Sequence, residues 1–220
     1  AQPGINGQHL EWALNKKGFT LAHYPASEYG ATLGGYVAAR GSGTLSTKYG
    51  KAEDMVVSME VVLASGEIIR TLPVPNHACG PGILQLFVGS EGTLGIVTRA
   101  VLRLRPAPRS RNTALVAIDS FDRLGQFLQA MDAALGGTLS AFEVMWNDFY
   151  TLVIGDGDKH GQPLDTTHAF YVLLESTGGH QESDAARFES ALQDAFENEL
   201  AVDAVIAQSK QQREDLWAIR

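Results

Sequence analysis

The sequence has one cysteine, Cys79, so no intrachain disulfide can form, a usage typical of a reducing compartment. Its longest apolar runs, such as VVLA and YVLL, are far too short to cross a bilayer. The first residues, AQPGINGQ, lack a basic start followed by an apolar run, as a secretory signal would have. These features predict a cytoplasmic protein without a transmembrane segment, and they leave open a peripheral position at the inner face of a membrane.

Positive charge is also scarce. The formal net charge is −8, and no dense cluster of lysine and arginine occurs. Proteins that bind nucleic acids use such clusters to neutralise phosphates, so nucleic acid is not an expected partner. The most basic stretch, RLRPAPRSR, is predicted to be the solvated exit of a strand.

Several motifs of metal, hydrolytic and nucleotide chemistry are missing. The six histidines are scattered and form no HxH, HxxxH or HExxH pair, so no metal site is predicted. The sequence also lacks a GxSxG elbow, a GxxxxGK[ST] loop and a GxGxxG loop after a strand. Simple hydrolases and dinucleotide-binding folds of that kind are therefore not indicated.

The first half predicts a helix in NGQHLEWALNKKG, a hairpin formed by MVVSMEVVLA and EIIRTL, and a short helix in GILQLFVG. A strand follows from Ile96. Strict alternation predicts that Ile96, Thr98 and Ala100 share its buried face. Pro106 and Pro108 end this strand and mark a boundary between domains.

Beyond Asn112, short strands and helices alternate. TALVAID, LSAFEVM, AFYVLLES and AVDAVIA are predicted strands, and FDRLGQFLQAMDAAL, ESDAARFESALQDAFEN and a segment from Ser209 are predicted helices. The pattern predicts an α+β sandwich with helices on one sheet, in a second domain over residues 113–220.

Two loops of the first half are rich in glycine and hydroxyl residues. One covers residues 25–50, and the other places Gly89, Gly92 and Gly95 at every third position. Because glycine has no Cβ, such loops let backbone N–H groups approach a planar or phosphorylated ligand. The alternative is that they only turn corners. Glu91 would repel a phosphate in the second loop.

The amino-acid sequences of these loops, and their order along the chain, also resemble those of a known family. HYPASEYGATLGGYVAARGSGTLSTKYGKAEDMV followed by GPGILQLFVGSEGTLGIVT resembles the vanillyl-alcohol-oxidase type of FAD-binding domain. Within that group the sequence is similar to FAD-linked D-2-hydroxyacid dehydrogenases and to alkyl-dihydroxyacetonephosphate synthase. The resemblance implies the remainder of an FAD-binding domain over residues 1–112, without its first βαβ unit. It implies a ferredoxin-like α+β cap, the substrate domain, after it.

The resemblance also assigns FAD contacts to individual positions. The residues expected to line the pyrophosphate, the ring system and the adenosine end are Pro25, Ala26, Ser27, Thr32, Gly34, Gly35, Arg40, Gly41, Ser42, Tyr49, Gly50, Glu91, Gly92, Thr93, Gly95, Ile96 and Val97.

The segment SKQQREDLWAIR is similar to the helix on which the dehydrogenases carry an arginine for the substrate carboxylate. That arginine would be Arg220, whose planar fork suits a carboxylate. The alternative is an exposed arginine at the end of a fraying helix.

The resemblance implies that these residues are an internal piece of a longer enzyme. The family's pyrophosphate loop would precede Ala1, and its metal-binding histidines would follow Arg220. We therefore expect the 220 residues alone to bind FAD weakly or not at all, and to be inactive by themselves.

The function implied is an FAD-dependent oxidoreductase, which oxidises a D-2-hydroxyacid of the D-lactate, D-2-hydroxyglutarate or glycolate class by hydride transfer to the flavin. An alkyl-dihydroxyacetonephosphate synthase-like transferase is one alternative, and an inactive piece without bound flavin is another. The implied partners are the hydroxyacid and an unidentified electron acceptor. A homodimer is left open.

Overall fold

The computed structural model describes residues 1–75, 78–155 and 161–220. It divides into two compact units, Ala1–Ala107 and Pro108–Arg220. His77 and His160, two of the scattered histidines, lie outside the described residues. Within the described ranges, no helix combines the length and the apolar character needed to cross a membrane.

Unit 1 combines short helices with a three-stranded antiparallel sheet in the order β3-β2-β4 and a small β1-β5 pair. Its helices are α1 (Gly7–Asn15), α2 (Leu33–Ala38), α3 (Ser46–Tyr49), α4 (Ala52–Met55) and α5 (Leu84–Phe87). Its strands are β1 (Phe19–Thr20), β2 (Val56–Val62), β3 (Ile68–Arg70), β4 (Ile96–Leu102) and β5 (Arg105–Pro106). The predicted first helix, hairpin and short helix are all present.

Local sequence explains where these elements begin and turn. The side chain of Asn6 accepts a hydrogen bond from the His9 N–H and caps α1. Gly66 has a φ of +87°, the left-handed conformation that the β2-β3 turn requires. Val61 of β2, Phe87 of α5 and Val37 of α2 are buried in one apolar cluster. The loop segments around them are thereby attached to the sheet.

A β-bulge changes the face of β4. Val61 pairs with Val97 but Glu60 pairs with Arg99, so Thr98 is an extra residue. Ala100 and Val97 therefore face the core, and Ile96 is 68% exposed. The prediction that Ile96 shares the buried face with Ala100 is wrong, because one inserted residue shifts the alternation by one position.

Unit 2 is a four-stranded antiparallel sheet with helices on both faces. Its strands are β6 (Ser110–Ile118), β7 (Leu139–Trp146), β8 (Phe170–Gly178) and β9 (Asp203–Ile206). Its helices are α6 (Phe121–Leu135), α7 (Asn147–Gly155), α8 (Gln181–Glu197) and α9 (Lys210–Ala218). The spatial order β7-β8-β6-β9 with α6 and α8 as crossovers is the ferredoxin-like arrangement that was expected.

Each face of this sheet has its own apolar core. Val116 and Leu174 point to the face covered by α6 and α8, where Phe127 and Phe188 are buried. Alternate residues form the opposite core with α7 and α9, and this core contains Leu115, Tyr171, Tyr150, Leu216 and Ile219. The second core fixes α9 and therefore the backbone that carries Arg220.

Helix ends in unit 2 follow their capping residues. Ser120 accepts from the Arg123 N–H at the start of α6, and Gly136 ends it with a φ of +55°. Ser209 accepts from the Gln212 N–H at the start of α9. The Gln212 side chain accepts from the Gln208 N–H at 2.7 Å.

Candidate functional site

All the residues assigned to FAD by resemblance are at least partly exposed. The first of them form a tight turn. The Ser27 carbonyl accepts hydrogen bonds from the N–H groups of Gly30 and Ala31 at 3.0 and 2.8 Å. Pro25 accepts from the Glu28 N–H at 3.0 Å. Ala26 and Ser27 are exposed on this turn and are available to a ligand.

The next assigned residues lie at the start of α2. The Thr32 side chain accepts from the Gly35 N–H at 3.2 Å and caps the helix. Gly34 has a structural role, because a Cβ there would lie 2.8 Å from the Pro3 Cβ. Its N–H donates to the Pro3 carbonyl at 2.8 Å.

Residues 41–44 lie against the residues preceding the first turn. The Thr44 N–H donates to the Tyr24 carbonyl at 3.2 Å, and a Cβ at Gly43 would lie 2.8 Å from the carbonyl carbon of Tyr24. Gly41 donates to the Tyr36 carbonyl. Ser42 is exposed beside this contact. The structure thus brings the Pro25 and Ser42 regions together.

Tyr49 and Gly50 end α3. Tyr49 packs on the apolar cluster of unit 1, and Gly50 has a φ of +82°. A Cβ at Gly50 would lie 2.5 Å from Asp54 Oδ2, so the glycine is required by packing as well as by φ. The Asp54 carboxylate accepts from the Lys51 N–H and holds the start of α4.

The second loop lies on the C-terminal end of α2. The N–H groups of Gly89 and Glu91 donate to the carbonyls of Val37 and Ala38, each at 3.0 Å. Gly89 and Glu91 both have left-handed φ angles, +80° and +52°. The Thr93 hydroxyl and N–H both donate to the Ser90 carbonyl and close the turn.

The end of this loop leads into β4. A Cβ at Gly95 would lie 2.6 Å from Val61 Cγ1, so only glycine allows this approach to β2. Ile96 is exposed and Val97 half-buried on the core. An exposed isoleucine at the start of a strand is a candidate contact for an apolar ligand surface.

Gly92 provides the test of whether these loops fit a large cofactor. Its φ is +79°, and a Cβ built there would meet nothing within 4 Å. Among the described residues its N–H has no hydrogen-bond partner. An open turn with a free N–H fits a ligand contacted through backbone atoms, so the loops fit FAD.

A buried pair lies beneath the first loop. His23 is 5% exposed, and its ring contacts Tyr36 edge-on with centroids 4.6 Å apart. Within the described part of the chain, neither ring nitrogen nor the Tyr36 hydroxyl has a hydrogen-bond partner. Burial lowers the pKa of His23 to about 4, so the imidazole is neutral at pH 7.

Arg220 lies just after α9 in unit 2. Its Nε donates to Glu143 Oε2 at 2.6 Å, and the two side chains are 36% and 21% exposed. Among the described residues Glu143 is the one hydrogen-bonding partner of this guanidinium. Because the contact uses Nε, the Nη1–Nη2 edge remains for a bidentate carboxylate.

A buried carboxylate holds the same helix. Glu175 of β8 is 1% exposed and accepts from Trp217 Nε1 at 2.9 Å and Thr113 Oγ1 at 3.0 Å. Arg111 Nε lies 3.9 Å from its other oxygen. The bond from Trp217 ties α9 to the sheet three residues before Arg220.

Sequence reasoning missed Glu143 and Glu175. Each is an acidic residue inside an otherwise apolar strand segment, LSAFEVM and AFYVLLES. Charged residues are rarely buried unless they are paired, so this departure from the pattern was the available signal. Among the described residues no group of three or more histidine, cysteine or acidic side chains is placed to hold a metal.

Comparison with known proteins supports the interpretation. Residues 1–72 match the model of the FAD binding domain. D-2-hydroxyglutarate dehydrogenase, mitochondrial, of Arabidopsis thaliana is 31% identical over 214 residues, which are 97% of this chain and 38% of that protein. Alkyldihydroxyacetonephosphate synthase of Caenorhabditis elegans is 43% identical over 122 residues, 56% of this chain and 20% of that protein.

A solved structure of alkyldihydroxyacetonephosphate synthase aligns with a TM-score of 0.76 and 26% identity, covering all of this chain and 43% of that one. The chain thus spans less than half the length of these relatives. Residues 107–220, more than half of the chain, match the model of the C-terminal domain of FAD linked oxidases. The chain therefore belongs to the FAD-linked oxidase family, and FAD is the cofactor that its two matched domains indicate.

Proposed function

We propose that this protein oxidises a D-2-hydroxyacid, with FAD as the hydride acceptor. The observation that carries the proposal is Arg220, whose Nε is held by Glu143 while its terminal edge is unengaged among the described residues. A planar fork fixed in this way binds a carboxylate in a defined orientation. The alignment with a D-2-hydroxyglutarate dehydrogenase over 97% of the chain supports the same substrate class.

The chemistry assigns distinct roles to this chain's residues. In the oxidation, the α-carbon loses a hydride and its hydroxyl loses a proton, which gives a 2-oxoacid. FAD, when bound, supplies the hydride acceptor. Arg220 binds the carboxylate and so orients the α-carbon, which converts binding energy into positioning. The residues 25–27, 41–42 and 91–97 hold the cofactor, chiefly through backbone groups.

The test uses the purified full-length enzyme that contains these residues, with FAD and a panel of D-lactate, D-2-hydroxyglutarate and glycolate. We expect at least one of them to bleach the flavin absorbance and to reduce an artificial electron acceptor. L-lactate and L-2-hydroxyglutarate serve as controls and are expected to be inactive. If no D-2-hydroxyacid bleaches the flavin, the proposal is wrong.

A second candidate is a flavin-dependent transferase that acts on an acyl-dihydroxyacetone phosphate. The observation that favours it is the 43% identity to alkyldihydroxyacetonephosphate synthase over 122 residues, well above the 31% found with the dehydrogenase. Exchange of the acyl group without net reduction of an electron acceptor would select this function over the first.

The remaining partners follow from the chemistry. Reoxidation of a reduced flavin requires an electron acceptor, and the artificial dye of the assay takes its place.

A cytoplasmic location is proposed from the single cysteine, and fractionation of cells expressing the protein would test it.

A further inference from the structure

Arg40 is one of the residues that the resemblance assigns to direct contact with FAD. Arg40 follows α2 and has a φ of +51°, a conformation that few residues other than glycine adopt. An arginine at such a position needs compensating contacts.

Those contacts join three segments of unit 1. Arg40 Nη2 donates to the Val88 carbonyl at 3.0 Å, and Arg40 Nε lies 2.9 Å from Glu53 Oε2 on α4. The guanidinium therefore connects the end of α2, the first turn of α4 and the residues that begin the second loop. Both contacts use the fork of the same side chain.

The lack of a side chain at Gly89 leaves room for this guanidinium. A Cβ at Gly89 would lie 2.9 Å from Arg40 Nε and 3.2 Å from its Cβ, so a side chain there would displace it. The backbone bonds from Gly89 and Glu91 to α2 reinforce the same contact. Three hydrogen bonds thus hold the second loop on α2, and one of them comes from Arg40.

We infer that Arg40 is a positioning residue: its guanidinium, fixed by Glu53, places the loop from Gly89 to Gly95 for FAD and does not itself bind the cofactor phosphates. The inference depends on the FAD assignment and on the proposed role of this loop. A direct contact between Arg40 and the phosphates would give the opposite change in FAD affinity when Glu53 is neutralised.

Glu53→Gln separates the two roles. If Arg40 bound a phosphate, removal of the neighbouring negative charge would tighten FAD binding. If Arg40 positions the loop, Glu53→Gln weakens the ion pair that holds the fork, and the FAD dissociation constant rises by about 3- to 10-fold.

The variants Arg40→Lys and Arg40→Met distinguish the positioning role from a phosphate contact in a second way. Lysine keeps the charge but cannot bond Glu53 and Val88 with one planar fork. The positioning role therefore predicts that both variants raise the FAD dissociation constant, by about tenfold. A phosphate contact predicts that Arg40→Lys stays near the wild type and that only Arg40→Met is weak.

The full-length enzyme and its variants are stripped of flavin and titrated with FAD, and binding is measured by the change in flavin fluorescence. The thermal midpoint of each stripped variant checks that it is folded. Arg70→Met is the matched control, since Arg70 pairs with Glu60 at 2.7 Å on the surface of the same unit. It should leave FAD binding unchanged. Tighter binding in Glu53→Gln, or wild-type binding in Arg40→Lys, overturns the inference. A wild-type protein that takes up no FAD refutes the cofactor assignment instead.

Discussion

The two units build their candidate sites in different ways. Among the described residues, nine positions of unit 1 have a positive φ and three positions of unit 2 do. Unit 1 uses turns, glycines and backbone N–H groups, whereas unit 2 places side chains from a regular sheet and one helix. A cofactor with many polar atoms suits the first design, and a small substrate held by one charged fork suits the second.

A single substitution should lower stability more in the core of unit 2, with its regular sheet, than in the loops of unit 1. Phe127 is fully buried between α6 and the sheet of unit 2. Phe127→Ala should lower the free energy of unfolding by about 3–5 kcal/mol, because it removes buried surface and leaves a cavity. Urea denaturation followed by circular dichroism measures this loss, with the exposed Phe196→Ala as control. A loss below about 1 kcal/mol would show that the core of unit 2 repacks.

Arg220 tests whether one side chain dominates the substrate site. Arg220→Ala should lower kcat/KM for the best hydroxyacid by about 10²-fold, since a bidentate charged contact is lost. Arg220→Lys should recover only part of this loss. Lys210→Ala, at an exposed pair with Glu214 on the same helix, is the control. Unchanged kinetics in Arg220→Ala would favour an exposed arginine without a role in binding.

The buried His23 should make unit 1 sensitive to acid. Its pKa is about 4 in the folded state and near 6.5 when unfolded, because burial disfavours the charged ring. The stability that comes from a neutral His23 is complete above pH 6.5 and is lost as the pH falls from 6.5 to about 4. The expected slope is up to about 1.4 kcal/mol per pH unit.

Denaturant unfolding of the wild type and of His23→Phe across this pH range measures that contribution. The variant cannot titrate at this position, so its slope should be smaller. Equal slopes in the two proteins would assign the acid sensitivity to other groups.

The smallest expected effect concerns the open glycine turn. Gly92→Ala should cost about 1 kcal/mol, because its φ of +79° strains any side chain although space is available. Gly30 also faces open space but has no positive φ, so Gly30→Ala should be neutral or slightly stabilising. The difference between the thermal midpoints of these two variants measures backbone strain separately from side-chain packing. Equal midpoints would show that the second loop relaxes.

The sequence predicted the regular parts of both units better than the loops. The strands and long helices of unit 2 follow from clear alternation and helical periodicity, and Ser120 and Gly136 mark the ends of α6. Residues 25–50 showed no periodicity, and α2 and α3 within them are only six and four residues long. Such short helices are stabilised by tertiary contacts rather than by a sequence pattern.

Two further features depended on pairing that a sequence does not display. The bulge at Thr98 adds one residue to β4 and exposes Ile96, although the alternation of the letters is regular. The contacts of Arg40 with Glu53 and Val88 join residues 13 and 48 positions apart, counted along the sequence. Motifs indicated the loops that the resemblance assigns to the cofactor, but only the fold shows which of their side chains already have partners.

The bond between Trp217 and buried Glu175 has a practical consequence. Trp12 and Trp146 are more than half exposed, whereas Trp217 is packed against the second core of unit 2. Its indole should therefore emit at shorter wavelength than the other two. The protein thus contains an intrinsic fluorophore on the helix that precedes Arg220, and its emission can report the docking of that helix without an added label.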